Sequence, residues 1–348
     1  MPLRTSHLAI AATLLLAASI ACQQGPKVGR SPIRVELGVV RAGAIVETTV
    51  FIYWRAPANN AKVITKLPPT IQQLTIESNK DDQGREETRL ALAIATDQLG
   101  KHETSIELSL GERKASIPVI WTVAPAVPNS SRILVASTPF RGDSSMLPED
   151  FASWRDLIVE AQLDVDYRHR RKGASTFSTE SLARVDIVLV GEECLLHITN
   201  SEVARLQGFI CGGGRIVVFA DAFFVGTAAA ANRICEPFGI EVINREPPIG
   251  EPHAAFDGDL ARHALNVGVK RIVVGRPSPT KITNPELATA LVTLPTFGSE
   301  YPFASIATTK SGGEIIAVGN SLWWNWIAKA PGNKRLLRNL LVRAPRLR

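Results

Sequence analysis

The chain has 348 residues, 45% of them hydrophobic and 21% charged, with a formal net charge of +6. That composition is globular and excludes a disordered chain, and the length suffices for two domains, each with its own core. The charge is mild and spread along the chain except at the C-terminus, where Lys334, Arg335, Arg338, Arg343, Arg346 and Arg348 cluster. A basic tail can touch anionic lipid or nucleic acid, but the plain reading is the solvated face of a last helix, and no nucleic-acid partner is expected.

Residues 1–22 read as an export signal. Arg4 and His7 precede an apolar run from Leu8 to Ala21. The run is shorter than the roughly 20 residues of a spanning helix, but it fits the apolar region of a secretory signal, with small residues Ser19 and Ala21 before the cut. Cys22 follows at once. Ser19-Ile20-Ala21-Cys22 resembles a bacterial lipobox, in which the cysteine is lipidated and becomes the N-terminus. It departs from the usual pattern in having Ser19 where Leu is common. The resemblance implies a lipid anchor at Cys22; the alternative is simple cleavage and release. Three cysteines remain, Cys194, Cys211 and Cys235, with no C-x-x-C spacing. An odd, widely spaced set is no disulfide framework. The three read as small buried hydrophobes, with a Cys211–Cys235 bridge as the alternative.

Residues 23–31 are polar and turn-prone, a tether. From 32 to 124 the apolar pattern has period two: Val35, Leu37 and Val39; Val46, Val50 and Ile52; Leu90, Leu92 and Ile94; Ile106, Leu108 and Leu110; Val119 and Trp121. Such runs, broken by Gly, Asn, Asp and Pro, predict half-buried antiparallel strands. About seven runs at this spacing predict an all-β immunoglobulin-like sandwich, with Trp121 in its core. The stretches Val35-Glu36-Leu37-Gly38-Val39-Val40 and Ile117-Pro118-Val119-Ile120-Trp121-Thr122-Val123 resemble the Ig-like domains of the bacterial DUF1573 and ASH group. That resemblance implies a spacer or a protein-docking module.

Residues 125–131, with Pro125 and Pro128, form a linker. From 132 to 348 the pattern changes. Arg132–Ala136, Asp186–Gly191, Arg215–Phe219 and Glu314–Gly319 are continuous apolar runs, as in buried parallel strands. Helices are predicted near 148–161 and from Ser201 to Cys211, the latter with Thr199 and Glu202 as a capping box. A short strand is predicted near 163–167, and two short helices close the chain. Alternating strands and helices predict βαβ units. Residues 245–262 and 276–286 are Pro-rich and read as loop insertions over the sheet's edge.

Asp186-Ile187-Val188-Leu189-Val190-Gly191, the run from Glu202 through Phe209 into Gly213-Gly214-Arg215, His263-Ala264-Leu265-Asn266-Val267-Gly268-Val269, and Gly313 to Asn320 resemble the class I glutamine amidotransferase-like fold. The branch is that of the ThuA-like and DUF4350 proteins. The resemblance implies an α/β, flavodoxin-like, three-layer domain. Active members carry a cysteine on a glycine-flanked turn after a central strand. Here that strand, 215–219, is followed by Ala220-Asp221-Ala222, with neither thiol nor elbow glycines. No catalytic residue is therefore assigned.

Cys194, three residues from His197, is the rival nucleophile–base pair. Asp221, Glu192, Glu193 and Asn320 fall at strand C-terminal ends, where α/β sheets bind ligands, and can line one polar cleft for a sugar or a cation. For Asp221 the first reading is a cap on the next helix, with ligand contact as the alternative. Trp323 and Trp324, with Trp326, read first as core packing; their density also allows one or two of them to offer a stacking surface at the same end. His253 and His263 lack a third ligand at metal spacing, so no metal or other cofactor is expected. Gly212-Gly213-Gly214 precedes a strand and is no phosphate cradle.

These observations point to a non-catalytic envelope protein, anchored through lipidated Cys22, whose second domain binds a partner protein or glycan. The alternatives are a carbohydrate-active hydrolase or isomerase using the strand-end acids, and a purely structural scaffold.

Overall fold

The computed structural model describes residues 34–54, 63–80, 86–128, 130–136, 152–168, 175–220, 226–244, 253–256, 260–275, 277–294, 301–323 and 325–343. Cys22 and the 23–31 tether lie outside them. The period-two segment forms β1 (Val35–Arg41), β2 (Val46–Trp54), β3 (Val63–Lys66), β4 (Ile71–Lys80), β5 (Glu86–Ile94), β6 (Gly100–Leu110) and β7 (Arg113–Ala124). One sheet has the order β1-β7-β6-β3, with β1 parallel to β7 and the other pairs antiparallel. The strands β2-β5-β4 pair antiparallel in a second sheet. Side chains of both, among them Leu37, Val50, Leu90, Ile106, Val119 and Trp121, merge in one buried cluster.

The alternation expected in β1 slips at one point. The register shifts between Glu36 and Gly38, and Val40 rather than Val39 is buried. Gly38 has φ +70°, and a Cβ there would approach Arg155 Cδ to 2.7 Å. A bulge at a residue free to adopt positive φ moves the inward face by one position. Strands β3 and β4 carry no clean alternation, since β3 lies at a sheet edge and β4 is mostly half-exposed.

The rest of the chain runs β8 (Arg132–Ala136), α1 (Ala152–Glu160), β9 (Asp164–Tyr167), α2 (Thr179–Ala183), β10 (Ile187–Val190), α3 (Glu192–Leu196), α4 (Asn200–Cys211), β11 (Arg215–Phe219) and α5 (Thr227–Cys235). It continues with β12 (Ile240–Val242), β13 (His253–Phe256), β14 (Arg271–Val274), β15 (Thr280–Ile282), β16 (Ala288–Val292), β17 (Ala304–Thr308), β18 (Glu314–Val318), α6 (Asn325–Ala328) and α7 (Pro331–Leu341). The two stretches expected to be loops thus contain β13 and β15. Strands of three or four residues between prolines are too short to print a period.

Strands β9, β8, β10, β11 and β18 are adjacent and parallel, and β17 and β16 extend them antiparallel. Successive side chains go to opposite faces. Ile187, Leu189, Val217 and Phe219 join α1 and α7 in one core. Val188, Val190, Ile216 and Val218 join α4 and α5 in another. Apolar burial on both faces is why these strands read as unbroken apolar runs. Helix α4 begins with the expected capping box between Thr199 and Glu202. Buried Glu202 also accepts the Thr176 N–H at 3.1 Å. After α4, Gly213 turns at φ +89° and Gly214 packs on the Phe209 ring.

The two halves are not separate sheets. Val46 of β2 pairs with Tyr167 of β9, so β2-β5-β4 continue the parallel array into one ten-stranded sheet. The seam is three residues long on each side. Asp166 Oδ1 accepts the Ile45 N–H at 2.8 Å, the Tyr167 N–H donates to the Ile45 carbonyl at 2.8 Å, and Arg168 Nη1 reaches Glu47 Oε1 at 2.7 Å. Trp154 of α1 donates to the buried Tyr167 hydroxyl at 3.2 Å. The basic C-terminal helix is also tied down. Lys334 pairs with Glu160 at 2.7 Å, Arg335 Nε donates to the Val267 carbonyl at 3.1 Å, and Arg343 lies 3.7 Å from Glu314.

Candidate functional site

Because β8, β10, β11 and β18 are parallel, Ala136, Val190, Phe219 and Val318 end along one edge of the sheet. This edge is where the candidate residues converge in sequence. Asp221 and Trp324 lie outside the described residues. Glu192 and Glu193 are the first two residues of α3, which starts directly after β10 and Gly191; their backbone is described and their side chains are not.

Asn320 and Trp323 are placed clearly, and neither is presented as a contact surface. Asn320 is fully buried and its Nδ2 donates to the Gly275 carbonyl at 2.9 Å. Trp323 is 3% exposed and packs edge-on against Phe219 and Trp154, with centroids 5.2 and 6.1 Å apart. Its indole is wedged between the end of β11 and α1, so apolar burial decides its position. Trp323 thus takes the core-packing reading, and the stacking role allowed for it in the candidate site is set aside.

A strand-end strap explains the burial of Asn320. Gly275 and residues 277–280 cross the end of β18, where the Ser278 N–H donates to the Gly319 carbonyl at 2.7 Å and the Thr280 N–H to the Pro302 carbonyl at 2.7 Å. A Cβ on Gly319 would sit 1.7 Å from the Ser278 carbonyl oxygen. Only glycine permits this approach. Ser278, Thr280, Ser305 and Ser321 are all fully buried in this region.

The Cys194–His197 pair does not assemble. Cys194 is 3% exposed in the core beneath α3, whereas His197, at the C-terminal cap of that helix, is exposed. Cys194 faces inward from within the helix, whereas His197 caps it with non-helical backbone (φ −120°, ψ 6°), so its imidazole does not stay on the helix face that carries the thiol. Cys235 is fully buried, and desolvation, reinforced by Glu236, pushes its thiol up to about 12. Cys211 is exposed, and Cys194, Cys211 and Cys235 are all free thiols. The Cys211–Cys235 bridge is therefore absent. Reactive cysteines need a stabilised thiolate within reach of solvent, and burial denies this to Cys194 and Cys235.

Among the described residues no three His, Cys, Asp or Glu side chains gather at metal-binding distance. His263 Nδ1 accepts the Leu265 N–H at 3.1 Å, capping a short 3-10 turn, Ala264–Asn266. The His253 side chain lies outside the described set. Beside His263 a groove of about 450 Å³ opens, lined by Leu260, Arg262, His263, Asn266 and Val267 among others. Asn266 lies in the His263–Val269 stretch that carries the fold resemblance, and Arg262 just before it; neither is marked as a candidate site residue by the sequence. Among the described residues no helix is long and apolar enough to cross a membrane.

No family model matches the chain, and no curated protein is significantly similar to it. Among solved structures it overlaps an endo-fucoidan hydrolase of glycoside hydrolase family 107 at TM-score 0.19 and 11% identity, over 28% of this chain and 13% of that one. It overlaps the amylomaltase from Corynebacterium glutamicum at TM-score 0.18 and 15% identity, over 63% of this chain and 25% of that one. The chain spans a quarter or less of either protein. At these scores the overlaps carry no argument about fold or chemistry.

Proposed function

We propose that the protein is a non-catalytic component of a bacterial cell envelope, exported and anchored through lipidated Cys22. In this reading residues 32–124 form an Ig-like docking or spacer module. Residues 132–348 form a flavodoxin-like domain of the amidotransferase type that binds a partner protein or glycan. The strand order β1-β7-β6-β3 facing β2-β5-β4 supports the first assignment. The parallel array with buried helices on both faces supports the second.

The observation that carries the non-catalytic reading is the separation of Cys194, in the core, from His197, at the surface. It removes the one thiol–imidazole pair that the sequence offers, and β11 runs into buried Ala220 where active relatives of this fold place a cysteine. The carbohydrate-active alternative rests on Asp221, Glu192 and Glu193 at one strand edge.

Two experiments test the reading. Cells given a fatty-acid analogue should label the wild-type chain and not Cys22→Ala; equal labelling removes the anchor. The purified mature chain incubated with envelope oligosaccharides should release no product. Turnover that disappears in Asp221→Asn would install the hydrolase alternative instead.

A further inference from the structure

The surface of α7 divides by charge. Its buried residues are Gly332, Asn333, Leu336, Leu337, Leu340 and Leu341. At about 100° per residue, Lys334, Arg335 and Arg338 fall together on the opposite side of the helix. Arg338 is exposed, and Lys334 and Arg335 are half-buried. The helix packs on β14 and on the 264–266 turn. There Asn339 Nδ2 donates to the Leu265 carbonyl at 2.8 Å and the Val267 carbonyl at 3.0 Å, and Arg335 Nε donates to the same Val267 carbonyl at 3.1 Å. Exposed Lys270 follows that turn.

Acidic residues are scarce around these cations. No Asp or Glu follows Glu314 in the sequence, and residues 260–275 hold none. Asp257 and Asp259 precede that stretch and lie outside the described residues. The acids of neighbouring α1 are Asp156, which is exposed, and Glu160, which pairs with Lys334 at 2.7 Å. Apolar side chains rim the same surface. Val267 is 61% exposed, and Val342, the C-terminal cap of α7, is 50% exposed. Cations interleaved with exposed apolar side chains on one helix face suit a bilayer at the level of its headgroups.

We propose that the outer face of α7, with Lys270 and Val267, docks against an anionic phospholipid surface. The cations meet lipid phosphates, and the two valines enter the headgroup layer. A nucleic-acid backbone would match the charge and leave the valines unused, whereas a lipid surface uses both. The reach of the anchor agrees. Cys22 precedes Arg34 by twelve residues, so the chain between them spans at most about 40 Å. Gly38 of β1 lies against Arg155 of α1, and Glu160 of the same helix holds Lys334 of α7. With β1, α1 and α7 as neighbours, lipid on Cys22 leaves the outer face of α7 within reach of the same bilayer. This role for α7 rests on the envelope reading, which supplies the bilayer.

Sedimentation with vesicles tests it, using the mature chain with Cys22→Ser, which takes no lipid. Vesicles contain phosphatidylcholine alone or with about one-third phosphatidylglycerol. Binding should require the anionic lipid and fall by about tenfold or more as salt is raised to about 0.5 M. Arg338→Gln and Lys270→Gln, both at exposed positions, should each weaken it by about fivefold. Lys281→Gln should leave it unchanged, since Lys281 is exposed on β15, whose Ile282 packs with the core under α4 and α5. No binding to the anionic vesicles, or the same loss in Lys281→Gln as in Arg338→Gln, overturns the proposal. Duplex DNA bound as tightly as the vesicles at the same salt overturns the lipid assignment. A chain that binds vesicles but takes no fatty-acid label at Cys22 in cells keeps this surface and loses the anchor.

Discussion

Asp166 accepts the backbone N–H of Ile45 at 2.8 Å, across 121 residues of sequence. This bond sits at the seam where β2 joins β9, and the carboxyl that makes it is 3% exposed. Burial raises its pKa, opposed by the Ile45 hydrogen bond and by Arg132 and Arg184. A raised folded-state pKa means that the native chain holds this proton to higher pH than the unfolded chain. The contribution to stability is fully present below the ordinary value of 3.8 and is lost as pH rises through the folded pKa. Asp166→Asn keeps an acceptor and removes the titration. Urea unfolding from pH 3.5 to 7 should show the wild type losing stability relative to Asp166→Asn as pH rises. A difference constant with pH would refute this account. Asp166→Ala, leaving the Ile45 N–H without its partner, should cost about 1–3 kcal/mol.

Trp323 is a core residue, so its removal is a stability event. Trp323→Ala should lose about 3–5 kcal/mol by denaturant unfolding, and Trp323→Phe much less. Wild-type stability in Trp323→Ala would contradict its wedge between Phe219 and Trp154.

The thiols should sort by burial. In a Cys22→Ser background, Ellman's reagent should modify Cys211 promptly in the native chain. Cys194 and Cys235 should react only after unfolding, since desolvation holds Cys235 as the neutral thiol up to about pH 12. Three fast thiols in native buffer would contradict the core placement.

Two glycines make opposite predictions. Gly208 lies inside α4 with nothing within 4 Å of an added Cβ, so Gly208→Ala should stabilise by about 1 kcal/mol. A Cβ on Gly332 would meet the Arg271 carbonyl oxygen at 1.5 Å, so Gly332→Ala should displace α7 and lower the midpoint of thermal unfolding. Calorimetry on the pair separates helix propensity from docking.

Glu202 serves two segments at once. It closes the capping box of α4 with Thr199 and accepts the Thr176 N–H and the Ser175 hydroxyl. Thr199→Ala should cost about 1 kcal/mol. Glu202→Ala should cost more, by about 1–3 kcal/mol, because the buried Thr176 N–H loses its acceptor as well. Equal losses in the two variants would show that the second role is absent.

Local pattern was enough for much of this. Alternation in Leu90-Ala91-Leu92, unbroken runs such as Ile187–Val190, and the Thr199–Glu202 pair are written within a few residues, because pleat, helix pitch and capping are short-range geometries. The order of chemistry along the chain was legible too, including the absence of a thiol after Phe219. The tertiary structure decided what depends on distant neighbours. It placed Val40 inward through a bulge held under Arg155, sent Cys194 and His197 to opposite environments, and buried Asn320 beneath Gly275 and residues 277–280. It also joined β2 to β9 across the 125–131 linker. No local periodicity encodes such contacts, since each is settled by which surfaces find apolar cover and hydrogen-bond partners far along the chain, from 45 residues in the case of Asn320 to more than a hundred at the β2–β9 seam.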